Sequence, residues 1–247
     1  MLPVTLYTIG GPLKSTILLF CSFFTETPRA ALCVFLYFFG AEGYNEPGKG
    51  EMKNMPKKLF LCGPSGCGKT SLIRSALGEK LSEAGGFVTE RVCAADGTLL
   101  GFDLLPAAAA AGVEGFAPLR FLDYTTEPPT RDNEVFRVEA VRLLQEAEYY
   151  PFAILDEIGG FELVIPQFRA QLTAFLSSPL PCLGVLKAPA GVEELRERFG
   201  LGEKYPLLAR QLREALEQDP DTLVLDMASR GDENAALALR RWVEKYT

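Results

Sequence analysis

The residues best suited to chemistry form one run: Gly63, Pro64, Ser65, Gly66, Cys67, Gly68, Lys69 and Thr70. They fit G-x-x-x-x-G-K-[ST], the pattern of a loop that wraps a phosphate chain. The glycines leave room for close backbone approach and for φ values that side chains resist. The loop amides turn inward, and a following helix adds positive partial charge at its N-terminus. Lys69 is expected to reach the β- and γ-phosphates and Thr70 to ligate Mg²⁺. Ser71 joins the nucleotide-binding set. The flanks separate this site from a chance match in a glycine-rich turn. Lys58-Leu-Phe-Leu-Cys62 reads as a buried strand. Leu72, Ile73, Ala76, Leu77 and Leu81 then fall near helical spacing.

A phosphate loop needs an acidic partner at the end of a core strand. Phe152-Ala-Ile-Leu155 is such a strand, and it runs into Asp156-Glu157. Asp156 fits the Walker B position, holding Mg²⁺ through water. Glu157 is placed to orient and deprotonate an attacking water. A helix N-cap or a solvated loop acid is the competing reading of the pair. With the phosphate loop present, the functional reading carries more weight.

Strands alternate with helices through the rest of the chain, which predicts a mainly parallel α/β sheet. Gly85-Gly86 is expected to end the first helix. A hairpin follows, Phe87–Val92 and Thr98–Leu105, turning at Ala95-Asp96-Gly97. Pro106 and the alanines after it read as a linker or a loop over the sheet. Leu119–Asp123 is a further strand, and Thr130-Arg-Asp-Asn133 offers caps to a helix ending at Tyr149. That helix carries Phe136, Ala140, Leu143, Leu144 and Ala147 on one face. Pro166 opens another helix. Cys182–Leu186 is a core strand ending at Lys187. Residues 192–217 read as a charged helix broken by Gly200, Gly202 and Pro206. Thr222–Leu225 reads as a last core strand, before a helix with acids at its start and bases at its end.

Composition excludes several chemistries. The 247-residue chain carries a net charge of −7, which argues against a nonspecific nucleic-acid partner. It has no histidine, so histidine bases and histidine metal ligands are absent. Its six cysteines form no C-x-x-C pair, and free thiols in a reducing cytoplasm are expected.

Residues 1–54 stand apart from the domain expected over 55–247. Two apolar runs, Thr16–Phe24 and Ala30–Phe39, are each shorter than the roughly 20 residues a bilayer span needs. Joined, they would bury Glu26 and Arg29 at membrane depth. Lys49-Gly50-Glu51 matches a translated purine-rich ribosome-binding sequence, just before Met52 and Met55. The expected start is Met55, with a membrane tether as the alternative. An N-terminal peptide of the natively expressed protein decides between them.

Three segments in order resemble the THEP-type, cancer-related nucleoside-triphosphatases. Asp156-Glu-Ile-Gly-Gly-Phe-Glu-Leu163 is similar to that family's D-E-I-G-x-x-E-L. Gly86-Phe-Val-Thr-Glu-Arg-Val92 with Gly101-Phe102-Asp103 is similar to its G-F-x-T-E and G-F-D/K pair. The likeness runs from about Leu59 to Leu186 and returns at Arg230-Gly-Asp-Glu-Asn234. Gly160-Phe161 departs from the pattern, as does the stretch Ala188–Pro220. The resemblance implies a three-layer P-loop fold related to RecA and AAA ATPases, with helices on both faces. It also implies slow, Mg²⁺-dependent hydrolysis of several nucleoside triphosphates. Glu162 matches a motif acid that positions either the hairpin or the magnesium waters. Lys187 ends the strand after Walker B, where related ATPases keep a γ-phosphate sensor; a surface lysine is the alternative. Glu90, with Thr89 and Arg91, lies in the family-like hairpin and lines either the site or a half-exposed strand face. Arg91, Arg120, Arg131, Arg169 and Arg230 are all candidates for an arginine finger.

Two other functions compete. One is a kinase passing the γ-phosphate to a nucleotide or small metabolite, with Arg196, Arg198, Lys204 and Arg210 as a cationic lid. The other is a nucleotide-dependent switch with little turnover. The sequence has no N-K-x-D guanine-reading motif, and base preference and oligomeric state are left open.

Overall fold

A computed structural model describes residues 55–247. The expectations for residues 1–54 lie outside the described residues.

Eight strands form one sheet in the order β5-β4-β3-β2-β6-β7-β1-β8. Strands β1 (Lys58–Gly63), β2 (Ala84–Cys93), β6 (Phe152–Ile158), β7 (Cys182–Lys187) and β8 (Thr222–Asp226) run parallel through their shared pairings. Strands β3 (Leu99–Pro106), β4 (Leu119–Asp123) and β5 (Thr130–Arg131) extend the sheet antiparallel from β2. The expected hairpin is β2–β3.

The central strands are apolar on both sides because both faces are covered. Successive residues of β1 alternate between two cores. Phe60 and Cys62 join the core formed with α2 (Val141–Glu146), α3 (Pro166–Leu176), α4 (Pro189–Arg198) and α5 (Lys204–Gln218). Leu59 and Leu61 join the opposite core, with α1 (Lys69–Leu77) and α6 (Glu233–Tyr246). This is the three-layer α/β arrangement.

Trp242 of α6 is fully buried and stacks edge-on against Phe152 of β6. Its indole N–H donates to the Lys57 carbonyl at 2.9 Å. Asp232 caps the helix by accepting from the Ala235 amide at 3.0 Å. Trp242→Ala is expected to cost roughly 3–5 kcal/mol of folding free energy, read as a lowered urea midpoint.

The local structure corrects several expectations. Gly85-Gly86 does not end the first helix: α1 stops at Leu77, a 3₁₀ turn covers Gly78–Glu83, and both glycines lie inside β2. Gly86 is glycine because φ is +82° and a Cβ would sit 2.3 Å from the Ile154 carbonyl oxygen on the neighbouring strand. Ala107–Ala111 form a 3₁₀ turn with Ala107 buried in the second core, so the alanine stretch packs on the domain. Thr130–Arg131 pair with β4 as a short strand, leaving Asp132 to accept from the Glu134 amide at 2.8 Å. The expected helix begins with a π turn over Val135–Ala140. Pro206 does not break a helix. It sits in the first turn of α5, where its missing N–H has no intrahelical partner to lose. Finally, β8 is an edge strand among the described residues, where β1 alone pairs with it, and its residues are mostly half-buried.

Strand β6, which carries Asp156, and strand β1, which leads into the glycine loop, are not neighbours. Strand β7 lies between them, and its last residue is Lys187. All three strands are parallel, so their C-terminal ends open onto the same side of the sheet. In an open α/β sheet, that is the side where ligands bind.

Candidate active site

The loop between β1 and α1 takes its shape from its glycines. Gly63 has φ +152°, and a Cβ there would lie 2.3 Å from the Met227 carbonyl oxygen. Any side chain would push the loop off the end of β8. Lys69 opens α1, and its ammonium donates to the carbonyls of Gly63 and Pro64, both at 2.7 Å. These carbonyls hold the charge against the loop.

A polar cleft of about 510 Å³ lies over the loop. Of the residues expected to bind nucleotide, it is lined by Ser65, Gly66, Gly68, Lys69, Thr70 and Ser71. Gly63 and Pro64 shape the loop without lining the cleft. The Cys67 side chain is buried in the second core, and the Lys69 ammonium donates to its sulfur at 3.6 Å.

Asp156 and Glu157 also line this cleft. Thr70 Oγ1 donates to Asp156 Oδ1 at 3.0 Å, joining the two halves of the site. Asp156 is 2% exposed, and its Oδ2 has no hydrogen-bond partner. Burial, followed by the adjacent Glu157 charge, pushes its carboxyl up to about 7. A buried carboxylate oxygen left unpartnered beside a threonine hydroxyl suits a divalent cation, which would offset both influences. Among the described residues, no group of three or more acidic, histidine or cysteine side chains gathers to hold a metal. An ion there would draw further ligands from phosphate oxygens and water, as Mg²⁺ does.

Glu157 adopts φ +66°, and it is the only described non-glycine residue with positive φ. This left-handed turn costs free energy for an ordinary side chain and recurs at functional sites. The Glu157 carboxylate accepts from Lys187 Nζ at 2.6 Å. Lys187 is therefore not a surface lysine. Burial alone would lower its pKa, but the charge and hydrogen bond of Glu157 more than offset that, and the net shift is upward.

Glu162 lies deeper, 3% exposed, at the start of a 3₁₀ turn over Phe161–Val164. Its Oε1 accepts from the amides of Gly159 and Gly160, at 2.8 and 2.7 Å. It thus folds the backbone just after Glu157. Burial pushes its carboxyl up to about 7 against the pull of those amides. The folded state keeps a proton that the unfolded chain releases near pH 4. Stability from this group is therefore full below about pH 4 and is lost as pH rises through about 7. Glu162→Gln keeps the acceptor and removes the titration. Between about pH 5 and about pH 8, the variant should lose less unfolding free energy than the parent in urea titrations.

Glu90 lines the cleft but is paired with Arg74 at 3.0 Å. Sequence reading missed Arg74, although it lies four residues after Thr70, on the same helix face. Of the arginine candidates, Arg91 and Arg230 line the cleft, and Arg230 donates to the Gly66 carbonyl at 3.3 Å. The others are engaged elsewhere. Arg120 pairs with Asp103, Arg131 lies over the Phe161 ring, and Arg169 donates to the Leu163 carbonyl. Arg196 pairs with Glu193 and Glu203, and Arg198 with Glu194. Two of the four cations of that stretch are thus paired with acids close by in sequence. Phe102 also lines the cleft. It sits directly opposite Arg91 across the hairpin, a register that sequence alone does not give.

The phosphate loop, the intervening strand and the Asp156–Thr70 contact define the class: an α/β P-loop fold. Residues 58–219 match the family model described as NTPase, and the chain belongs to that family. The match includes most of the stretch after Ala188 that the sequence reading treats as divergent. The chain is similar to the cancer-related nucleoside-triphosphatase of Homo sapiens and to its homolog in Mus musculus. Each is 32% identical over 168 residues, covering 58% of this chain and 85% of the relative. Among solved structures, THEP1 from the hyperthermophile Aquifex aeolicus has the same fold, with a TM-score of 0.51 at 20% identity. That match covers 76% of this chain and 98% of the other. Among the described residues, no helix is long and apolar enough to cross a membrane.

Proposed function

We propose that this protein is a Mg²⁺-dependent nucleoside-triphosphatase, cleaving the β–γ phosphoanhydride of ATP, GTP and other nucleoside triphosphates to diphosphate and phosphate. The observation that carries the reading is the placement of Glu157 beside the buried, half-partnered Asp156, in the cleft that Lys69 also lines. Lys69 exchanges its loop carbonyls for β- and γ-phosphate oxygens. Asp156 and Thr70 would hold Mg²⁺, which neutralises the phosphate charge and aligns the β- and γ-oxygens when bound. Glu157 orients water against the γ-phosphorus and takes its proton. Lys187 holds the Glu157 carboxylate in its paired position at 2.6 Å and stands ready to move toward the γ-phosphate.

The cleft is lined by the glycine loop and by residues of α1, β2, β3, β6 and β7, and the sequence carries no guanine-reading motif. Turnover of nucleoside triphosphates with several different bases is part of this reading. The free thiols among the described residues, Cys62, Cys67, Cys93 and Cys182, suit a reducing cytoplasm. Phosphate release from ATP, GTP, CTP and UTP, each with Mg²⁺ and with excess chelator, tests the proposal. All four should turn over with metal and none without it. Equal turnover in chelator would remove the metal, and turnover of one base alone would remove the broad specificity.

A further inference from the structure

A second cleft, of about 600 Å³, lies between α3 and α5, on the face of the sheet that carries Phe60. It shares no lining residue with the phosphate cleft, so the hydrolysis reading leaves it unused. Its size falls within the range of roughly 300–1,000 Å³ typical of small-molecule sites.

Its walls are two leucine edges. Leu172 and Leu176 of α3 face Leu208, Leu212 and Leu216 of α5, each set repeating every fourth residue. From Leu208 to Leu216 the helix rises roughly 12 Å, comparable with a medium-length alkyl chain. One charge is set into this apolar space. Lys58, at the start of β1, lies on the same sheet face as Phe60, and its side chain is 5% exposed. Among the described residues its nearest acid oxygen is Asp219 Oδ2 at 3.8 Å, beyond hydrogen-bond reach. Asp219 has closer partners, accepting from the Thr222 hydroxyl at 2.6 Å and the Asp221 amide at 3.1 Å. A desolvated ammonium so weakly paired favours an added anion. The lining as a whole agrees, with Lys57, Lys58 and Arg169 against Asp219 and Asp221, a surplus of one positive charge. The Thr173 and Ser177 hydroxyls donate to carbonyls of their own helix, which leaves the cations as the donors for an anion.

We propose that the cleft between α3 and α5 is a second ligand site, and that it takes an amphipathic monocarboxylate such as a medium-chain fatty acid. The carboxylate accepts from the Lys58 ammonium, and the alkyl chain lies along the leucine edges of the two helices. One negative charge matches the surplus, and the chain removes leucine surface from water. Binding here is independent of the phosphate site, because no residue is common to the two clefts.

The test is isothermal titration calorimetry of the full-length protein with hexanoate, octanoate and decanoate. Affinity should rise roughly three- to fourfold for each added methylene, the worth of burying one CH₂. Decanol keeps the chain without the charge, and Lys58→Met keeps the buried length without the ammonium. Each change should lower affinity by roughly tenfold or more relative to decanoate on the parent. Ala215→Trp fills the cleft from an exposed position and should abolish decanoate binding. A non-hydrolysable ATP analogue with Mg²⁺ should leave decanoate affinity unchanged, as should Lys69→Ala. No binding of any of the three acids overturns the proposal. Decanol binding as tightly as decanoate overturns it by removing the charge. Affinity unchanged in both Lys58→Met and Ala215→Trp places the acid elsewhere, and displacement by the nucleotide places it in the phosphate cleft; either overturns it.

Discussion

Steady-state phosphate release should fall by roughly 10²–10⁴-fold in Glu157→Gln, while nucleotide binding persists. The substitution keeps size and hydrogen-bonding capacity but removes the group that takes the proton from water. Lys69, Thr70 and Asp156 remain, so the triphosphate is still held. Lys187 loses its charged partner at 2.6 Å and becomes a largely buried cation with an amide in that place and Glu162 as the remaining nearby acid. That loss strengthens its pull on the γ-phosphate, so the variant should retain bound triphosphate at least as tightly as the parent. The measurement is phosphate release alongside binding of a fluorescent nucleotide. Unchanged hydrolysis with unchanged binding would remove Glu157 from the mechanism. A parent with negligible turnover would favour the nucleotide switch instead.

Lys69→Ala is the second large effect, and it falls on binding as well as turnover. The ammonium now satisfies two loop carbonyls at 2.7 Å, and both contacts are lost with the side chain. Removing a charge from a hydrogen-bonded ionic contact costs roughly 2–5 kcal/mol of binding free energy. Turnover should fall further, because the charge that builds on the β–γ bridge in the transition state has lost its fixed donor. Removal of one such donor typically costs 10²–10³-fold in rate. Titration with fluorescent nucleotide and phosphate release at saturating ATP separate the two losses. A variant that binds and hydrolyses ATP like the parent would show that the phosphate site lies elsewhere.

Sequence alone determined the parts that rest on local chemistry. A strand, a glycine loop ending in Lys69-Thr70 and a helix are contiguous, so their backbone geometry is written in the residue types. The apolar strand running into Asp156-Glu157 was legible for the same reason, as was the alternation of strands and helices. The hydrophobic period also gave the buried face of the helix before Tyr149.

Tertiary structure decided what depends on strand order and register. Gly85-Gly86 looks like a helix stop. It belongs to a strand because β6 passes too close for any side chain at 86. Thr222–Leu225 has the composition of a core strand, yet among the described residues it is an edge strand, because none of them pairs beyond it in the order of the sheet. Lys187 and Glu157 are 30 residues apart, and only the insertion of β7 beside β6 brings them to 2.6 Å. Glu162 looked like a second site acid, and its carboxylate instead ties down the two glycine amides that follow Glu157. The grouping of Phe102 and Tyr124, ring centroids 6.2 Å apart, with Arg198 over the tyrosine ring at 5.2 Å, is the furthest from local signals. Phe102 comes from β3, Tyr124 from the residue after β4, and Arg198 from the end of α4. Their chemistry as a group exists only once the sheet and its helices have packed.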